Sequence, residues 1–231
     1  MSTVAVPFEA RRSRPISDAS APLALPRAHQ HPWDAALPME FQRGDYFFLP
    51  GDPARSVFLI RSGTARLGRL LDSGGELTLD LAGPGEIVGE EALFGVTQRV
   101  RLAQALSGVT AIPLPVAMLF RSLERDAGLA LALTRIVWER GRRLEGRAVE
   151  GTFTDCRRRL CRALLDVGDR FGVDEPEGRR IAVRLTHEDL ARLIGAARET
   201  VTPLLVRLRR EGAIDYDRTR ILIRDPGRLA S

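Results

Sequence analysis

The sequence contains no lysine; its 35 basic residues are all arginine. GC-rich coding suffices to explain this, although arginine also forks onto phosphate and guanine better than lysine does. Cysteine is scarce. Cys156 and Cys161 are the only two, five residues apart on a predicted helix, which is neither a zinc nor a redox spacing. No cysteine precedes Cys156, which excludes an N-terminal cysteine set for an iron–sulfur cluster. Histidine is limited to His29, His31 and His187, so a haem or cupin-type metal centre in the first domain has no ligands, and no metal site is expected. No apolar run approaches the roughly 18 residues of a membrane span, and the N-terminal stretch lacks a signal-peptide core. The reading is therefore cytoplasmic, with no membrane partner.

What is present is an ordinary globular balance of 44% hydrophobic and 28% charged residues, in a chain long enough for one large or two modest domains. The formal net charge is +5 with a pI near 10.3. From Cys156 onward 17 arginines face 12 carboxylates, so the excess sits in the C-terminal third. That is the footprint of a polyanion binder.

Residues 1–35, rich in Arg, Pro, Ala and Ser, read as a disordered arm; Arg11, Arg12 and Arg14 could touch DNA or a partner, or simply be solvated. From residue 36 to 115, short apolar runs such as Tyr46–Leu49, Val57–Ile60, Ala65–Leu70 and Leu77–Leu81 are punctuated by glycine, the pattern of a sandwich or barrel. Residues 116–152 turn helical, with Leu129, Leu133, Ile136, Val137, Leu144 and Ala148 in one stripe. Arg140 and Arg147 fall inside that stripe. Either they reach solvent from its edge, or they point at a pocket or a carboxylate. After a hinge at Phe153 and Thr154, with Thr154 as cap, residues 153–231 carry a helix, a polar acidic loop from Gly172 to Gly178, and a short strand from Ile181 to Leu185. A helix pair and a hairpin of Ile214, Tyr216, Ile221 and Ile223 about Asp217-Arg218-Thr219 complete the chain.

The helix pair, LTHEDLARLIGAARETVTPLLVRLRREG over residues 185–212, organises the rest. Thr186 is a natural N-cap, Glu188 and Asp189 suit the first turn, and Gly195 permits the left-handed turn that ends the first helix. On the second, Val201, Leu204, Leu205 and Leu208 share one face, while Glu199, Thr202, Val206, Arg207 and Arg210 look outward. A guanidinium at Arg198 can fork onto guanine and Glu199 can accept from cytosine, so the pair suits a G·C step. Arg207 and the hairpin-tip arginines Arg218 and Arg220 are candidate phosphate contacts, and Thr202 a further base contact.

This stretch resembles the winged helix-turn-helix of the cyclic AMP receptor protein and fumarate–nitrate reduction regulator superfamily, with its Thr-capped helix, Gly-centred turn and Arg-Glu-Thr-Val start. The resemblance implies that Arg198 and Glu199 touch bases, with Thr186 and His187 beside phosphates. It departs at Pro203, where the receptor pattern has a second arginine; the helix is expected to bend near Thr202, and the half-site to differ. Upstream, Leu59-Ile60-Arg61-Ser62-Gly63 and Pro84-Gly85-Glu86 resemble the family's double-stranded β-roll. Gly89, Glu90 and Glu91 match the start of its nucleotide site, where a helix N-terminus faces phosphate and the Glu takes a ribose hydroxyl. Arg99 and Arg101 are the candidate phosphate arginines, but Val100 and Leu102 follow them where a hydroxyl residue is expected. The helix lacks the Thr-Ser pair that closes over the nucleotide, and about one turn of its length. Three readings stay open for the pocket: cyclic AMP with altered contacts, another small effector, or a remnant whose Glu90 pairs internally with an arginine.

The fold expected is α+β, a β-roll sensor, a dimerisation helix and a winged helix-turn-helix. The function expected is a non-enzymatic, homodimeric transcription regulator on a pseudo-palindromic site in double-stranded DNA, with no cofactor certain, cyclic AMP an open option for the degenerate pocket, no haem or iron–sulfur cluster, and RNA polymerase as partner if it activates. The alternatives are a cyclic-AMP-gated regulator, a nucleotide-sensing scaffold that does not bind DNA, and a cupin-type enzyme, for which the metal-ligating histidines are missing.

Overall fold

The structure, a computed structural model, describes residues 36–217 and 220–230. The N-terminal arm with Arg11, Arg12, Arg14, His29 and His31, and Arg218 with Thr219 in the last hairpin, lie outside the described residues.

Eight strands build the first unit: β1 (Met39–Phe41), β2 (Tyr46–Phe48), β3 (Ser56–Ser62), β4 (Ala65–Leu70), β5 (Glu76–Ala82), β6 (Ile87–Val88), β7 (Leu102–Ala105) and β8 (Val109–Pro115). They form two antiparallel four-stranded sheets, in the orders β1-β8-β3-β6 and β2-β7-β4-β5. Phe41, Phe48, Ile60, Leu67 and Val88 fill the roll, with Ala65, Ala82, Ala103, Ala105 and Ala111 where the two sheets leave little room. Pro113 is tolerated in β8 because β1 pairs only with Val109–Ala111 and has ended before it.

The helical stretch expected over 116–152 is two helices, α1 (Val116–Arg125) and α2 (Ala127–Phe153). Asp126 breaks it: its backbone ends α1 on the Ser122 carbonyl, and its carboxylate accepts from the Leu129 amide at 3.0 Å to start α2. Leu129, Leu133 and Ile136 of the predicted stripe pack with Leu119 on the roll residues Val57, Leu59, Ile87, Ile112 and Leu114. Further along, Val137 and Leu144 are half-buried and Ala148 is exposed, and α2 meets β5 there through Arg143 and Arg147, on Asp80 and the Leu79 carbonyl, and not through the apolar stripe.

Helix α3 (Cys156–Phe171) is capped by Asp155, whose Oδ1 accepts from the Arg158 amide at 2.8 Å, and not by Thr154. Thr154 instead offers its carbonyl to Arg159 Nη1. The acidic loop expected from Gly172 to Gly178 is a hairpin of β9 (Gly172–Glu175) and β10 (Gly178–Ile181). Its polar residues pair across the strands, Arg179 with Asp174 at 2.8 Å and Arg180 with Glu175 at 2.5 Å, which period-based reading takes for loop polarity. The strand expected over Ile181–Leu185 is thereby shifted upstream, ending at Ile181. Then come α4 (His187–Ile194), α5 (Arg198–Arg210), the wing strands β11 (Ile214–Tyr216) and β12 (Ile221–Ile223), and a short α6 (Pro226–Ala230) that buries Leu229. The sheet order is β11-β12-β10-β9, and α3, α4 and α5 close one core over it. Leu81 and Leu106 of the roll belong to that same core, so the second unit is packed against the first.

Candidate nucleic-acid interface

The N-terminus of α4 is a closed capping box: the Asp189 amide donates to Thr186 Oγ1 at 3.1 Å, and the Thr186 amide donates to Asp189 Oδ2 at 2.9 Å. Gly195, at φ 63°, ends the helix with its own amide on the Ala191 carbonyl. Three residues later, at Arg198, α5 begins. Val201, Leu205 and Leu208 are buried and Leu204 is half-buried, which turns Arg198, Glu199, Arg207 and Arg210 outward as the periodicity requires. Among the described residues Arg198 makes no ion pair, so its fork is available.

Thr202 is turned differently. It is half-buried; its hydroxyl donates to the Arg198 carbonyl at 3.0 Å and lies 3.1 Å from His187 Nδ1. One hydroxyl has one proton, so with that proton on Arg198 the imidazole nitrogen is the donor to Thr202. The His187 ring also meets Tyr216 of the wing edge-on, at 5.7 Å between centroids. His187 therefore joins both helices to the wing. Burial, then the Arg198 charge, pull its pKa below the usual histidine value. Arg207 leans toward the C-terminal end of α5, its Nε 2.8 Å from Glu211, which also takes Arg157 at 2.9 Å. Arg220 is exposed in the wing, with its amide on Asp217 Oδ1. Helix α5 runs unbroken through Pro203, which sits in the second turn, where only the Glu199 carbonyl loses its helical donor.

Helix α4 also rests on the roll. Arg43, between β1 and β2, binds Asp189 at 2.9 Å and the Arg184 and Leu106 carbonyls, and Arg192 lies 3.4 Å from Glu76 of β5. Beneath them Arg66 is buried between Gln104 and Glu76.

Inside the roll the candidate nucleotide residues are all brought together, and they are paired with one another. Gly89, at φ 85°, opens a 3-10 helix over Glu90–Phe94. Glu90 is held by Arg140 Nη1 at 2.7 Å and Arg101 Nη1 at 3.3 Å. Burial would raise its pKa, but Arg140 and Arg101 outweigh that and lower it. Arg99 lies 3.4 Å from Glu91, donates to the Gly89 carbonyl at 2.9 Å and to Ser56, and stacks over Phe48 at 4.1 Å. A Cβ at Gly89 would come within 2.6 Å of Arg99 Nη1. Arg99 is thus fully engaged with protein groups, and its guanidinium lies against Gly89.

Arg140 does not reach solvent; it is 3% exposed and turns into the roll, adding Asp80 at 3.2 Å and the Ile87 carbonyl at 2.8 Å. Arg147 likewise turns inward, to the Leu79 carbonyl and Asp166. Asp80 collects three guanidinium groups: Arg140, Arg143 at 2.7 Å and Arg170 of α3 at 3.0 Å. Burial alone would raise its pKa; the charges of Arg170, Arg140 and Arg143, with a hydrogen bond from Arg143, hold it at about 2. Neither Asp80 nor Arg170 stands out in the sequence, where Asp80 is one polar residue in an alternating strand.

Two family models match the chain: the cyclic nucleotide-binding domain over residues 38–126 and the Crp-like helix-turn-helix domain over residues 158–231. The CRP-like cAMP-activated global transcriptional regulator of Mycobacterium tuberculosis is 32% identical over 193 residues, spanning 84% of this chain and 86% of that protein. The chain belongs to the Crp/Fnr family of transcriptional regulators. A Crp/Fnr regulator of Thermus thermophilus superposes with a TM-score of 0.70 at 29% identity, covering 84% of this chain and 96% of that one. The c-di-GMP responsive global regulator CLP of Xanthomonas campestris gives 0.71 at 26% identity, over 83% and 95%. Membership makes this protein a DNA-binding transcription regulator with a cyclic-nucleotide-binding fold ahead of its helix-turn-helix. Among the described residues no helix is long and apolar enough to cross a membrane, and no cluster of side chains could hold a metal ion.

Proposed function

We propose that this Crp/Fnr protein acts in the cytoplasm as a homodimer on a pseudo-palindromic promoter site, with Arg198 and Glu199 reading a G·C step, and that it does so without a cyclic nucleotide. The observation that carries the effector-independent part is the Glu90–Arg140 pair at 2.7 Å, joined by Arg101 and backed by the committed Arg99. In this reading a guanidinium from the long helix already holds the carboxylate that the ribose hydroxyl of a nucleotide would need, so the chain supplies its own ligand.

Dimerisation is supported by α2, whose outer side exposes Leu131 and Trp138 seven residues apart and Val149 beyond them, at 53%, 67% and 57%. An indole this exposed on a long helix calls for a partner surface. A two-fold dimer sets two recognition helices about one DNA turn, ~34 Å, apart. Thr186, His187, Arg207, Arg218 and Arg220 are proposed as phosphate contacts, and RNA polymerase as the partner if the protein activates.

The second reading is gating by cyclic AMP, favoured by the cAMP-activated Mycobacterium relative. It requires Arg99 to leave the Gly89 and Ser56 carbonyls. Selection of bound sequences from a random DNA pool, with and without cyclic AMP, separates the two. We expect the same two-fold-symmetric site in both arms; enrichment only with the nucleotide would establish gating. Arg198→Ala should weaken binding to that site by about 1–3 kcal/mol and relax its G·C position.

A further inference from the structure

Opposite the buried Val201, Leu205 and Leu208, helix α5 presents one outward line at helical spacing: Glu199, Pro203, Val206 and Arg210, all exposed. The two middle positions carry no hydrogen-bonding head group. This is not the general character of the helix, which places arginine at 198, 207, 209 and 210. Thr202, the polar neighbour, does not supply the missing group, since its hydroxyl donates to the Arg198 carbonyl and lies against His187. Proline is also the residue a helix interior tolerates least, so at the centre of an exposed face Pro203 is there against local propensity.

An apolar step flanked by charge on a groove-reading helix has one matching feature in the floor of the major groove, the 5-methyl group of thymine. We propose that Pro203 and Val206 read thymine through that methyl group. They lie one and two turns beyond Glu199, and one turn advances about 5.4 Å along the helix. The thymine therefore falls within about two to three base-pair steps, of about 3.4 Å each, of the G·C step met by Arg198 and Glu199. The proposal rests on the reading that α5 enters the major groove. It makes Pro203 a specificity residue in its own right rather than the mere loss of an arginine.

The test uses the full-length protein and the half-site selected from random DNA. Each thymine is replaced in turn by deoxyuridine, which removes only the methyl group, and binding is measured by titration. At one thymine beside the G·C step the wild type should lose about four-fold in affinity, the worth of one buried methyl group. Pro203→Ala/Val206→Ala should bind the thymine and deoxyuridine sites equally while keeping its dependence on the G·C step. Alanine favours the helix at position 203, so a thermal melt should show the double variant folded. No deoxyuridine effect at any position in the wild type, or an undiminished effect in the double variant, overturns the proposal. If Arg198→Ala still loses the G·C preference in that case, the docking of α5 stands and only the methyl reading falls. If Arg198→Ala binds as the wild type does, the docking itself is wrong and the proposal goes with it.

Discussion

Asp80 of the roll and Arg170 of helix α3, ninety residues apart in sequence, meet at 3.0 Å from Oδ1 to Nη1. The same carboxylate takes Arg140 and Arg143 from α2, and Arg170 continues to the Leu81 carbonyl and Glu86. One buried acid on β5 thus binds the long helix and the DNA-binding unit to the sensor roll. Three positive charges on one carboxylate would be excessive if Glu86 and Glu90 did not share them, Glu86 with Arg170 and Glu90 with Arg140.

Removing that acid should be costly. Asp80→Asn leaves three arginines around a neutral amide, and breaking a buried ion pair from one side typically costs about 3–5 kcal/mol. Scanning calorimetry should show a clear drop in melting temperature. A variant that melts like the wild type would mean that the arginines find solvent or other acids at no cost.

Acid should act through the same residue. The Asp80 carboxyl titrates near 2 in the folded chain against an ordinary 3.8, so between those values the unfolded state binds more protons. Its stabilisation is complete above about pH 3.8 and is lost as the pH falls toward 2. Urea unfolding followed across that interval should show stability falling with pH in the wild type, and a shallower slope in Asp80→Asn.

His187 predicts the opposite direction for DNA binding. In the free protein, burial and Arg198 hold its pKa below 6.5 and Tyr216 stacks edge-on against it. A DNA phosphate beside the ring would raise the pKa, so complex formation takes up a proton and affinity should increase as the pH falls through the pKa of the bound state, levelling off below that of the free protein. His187→Gln should flatten that dependence. A wild-type affinity indifferent to pH would place His187 away from the phosphates.

For the roll, calorimetric titration with cyclic AMP should give no heat of binding, and a large excess of the nucleotide should leave the melting temperature unchanged. A true ligand at one hundred times its dissociation constant would add about 2.7 kcal/mol. Such a stabilisation would show that Arg99 and Arg140 can be displaced.

The amino-acid sequence by itself determined the helix-turn-helix. Its signals are local: a capping Thr186, a Gly195 that tolerates positive φ, and apolar residues at a period of 3.6 decide the two helices and their outward face within the 28 residues from Leu185 to Gly212. The strands of the roll were legible for the same reason, from alternation and glycine turns. The β9–β10 hairpin was not, because its cross-strand ion pairs look like the polarity of a loop until the register is known.

Only the tertiary structure decided what the charged residues of the roll do. Glu90, Arg99 and Arg101 spell a degraded nucleotide site in sequence, yet whether Arg140 faces solvent or Glu90 depends on how α2 lies across β5 and β6. Asp80 and Arg170 carry no local signal at all. Ion pairs between residues sixty and ninety positions apart follow from packing, and packing is fixed by the apolar residues around them.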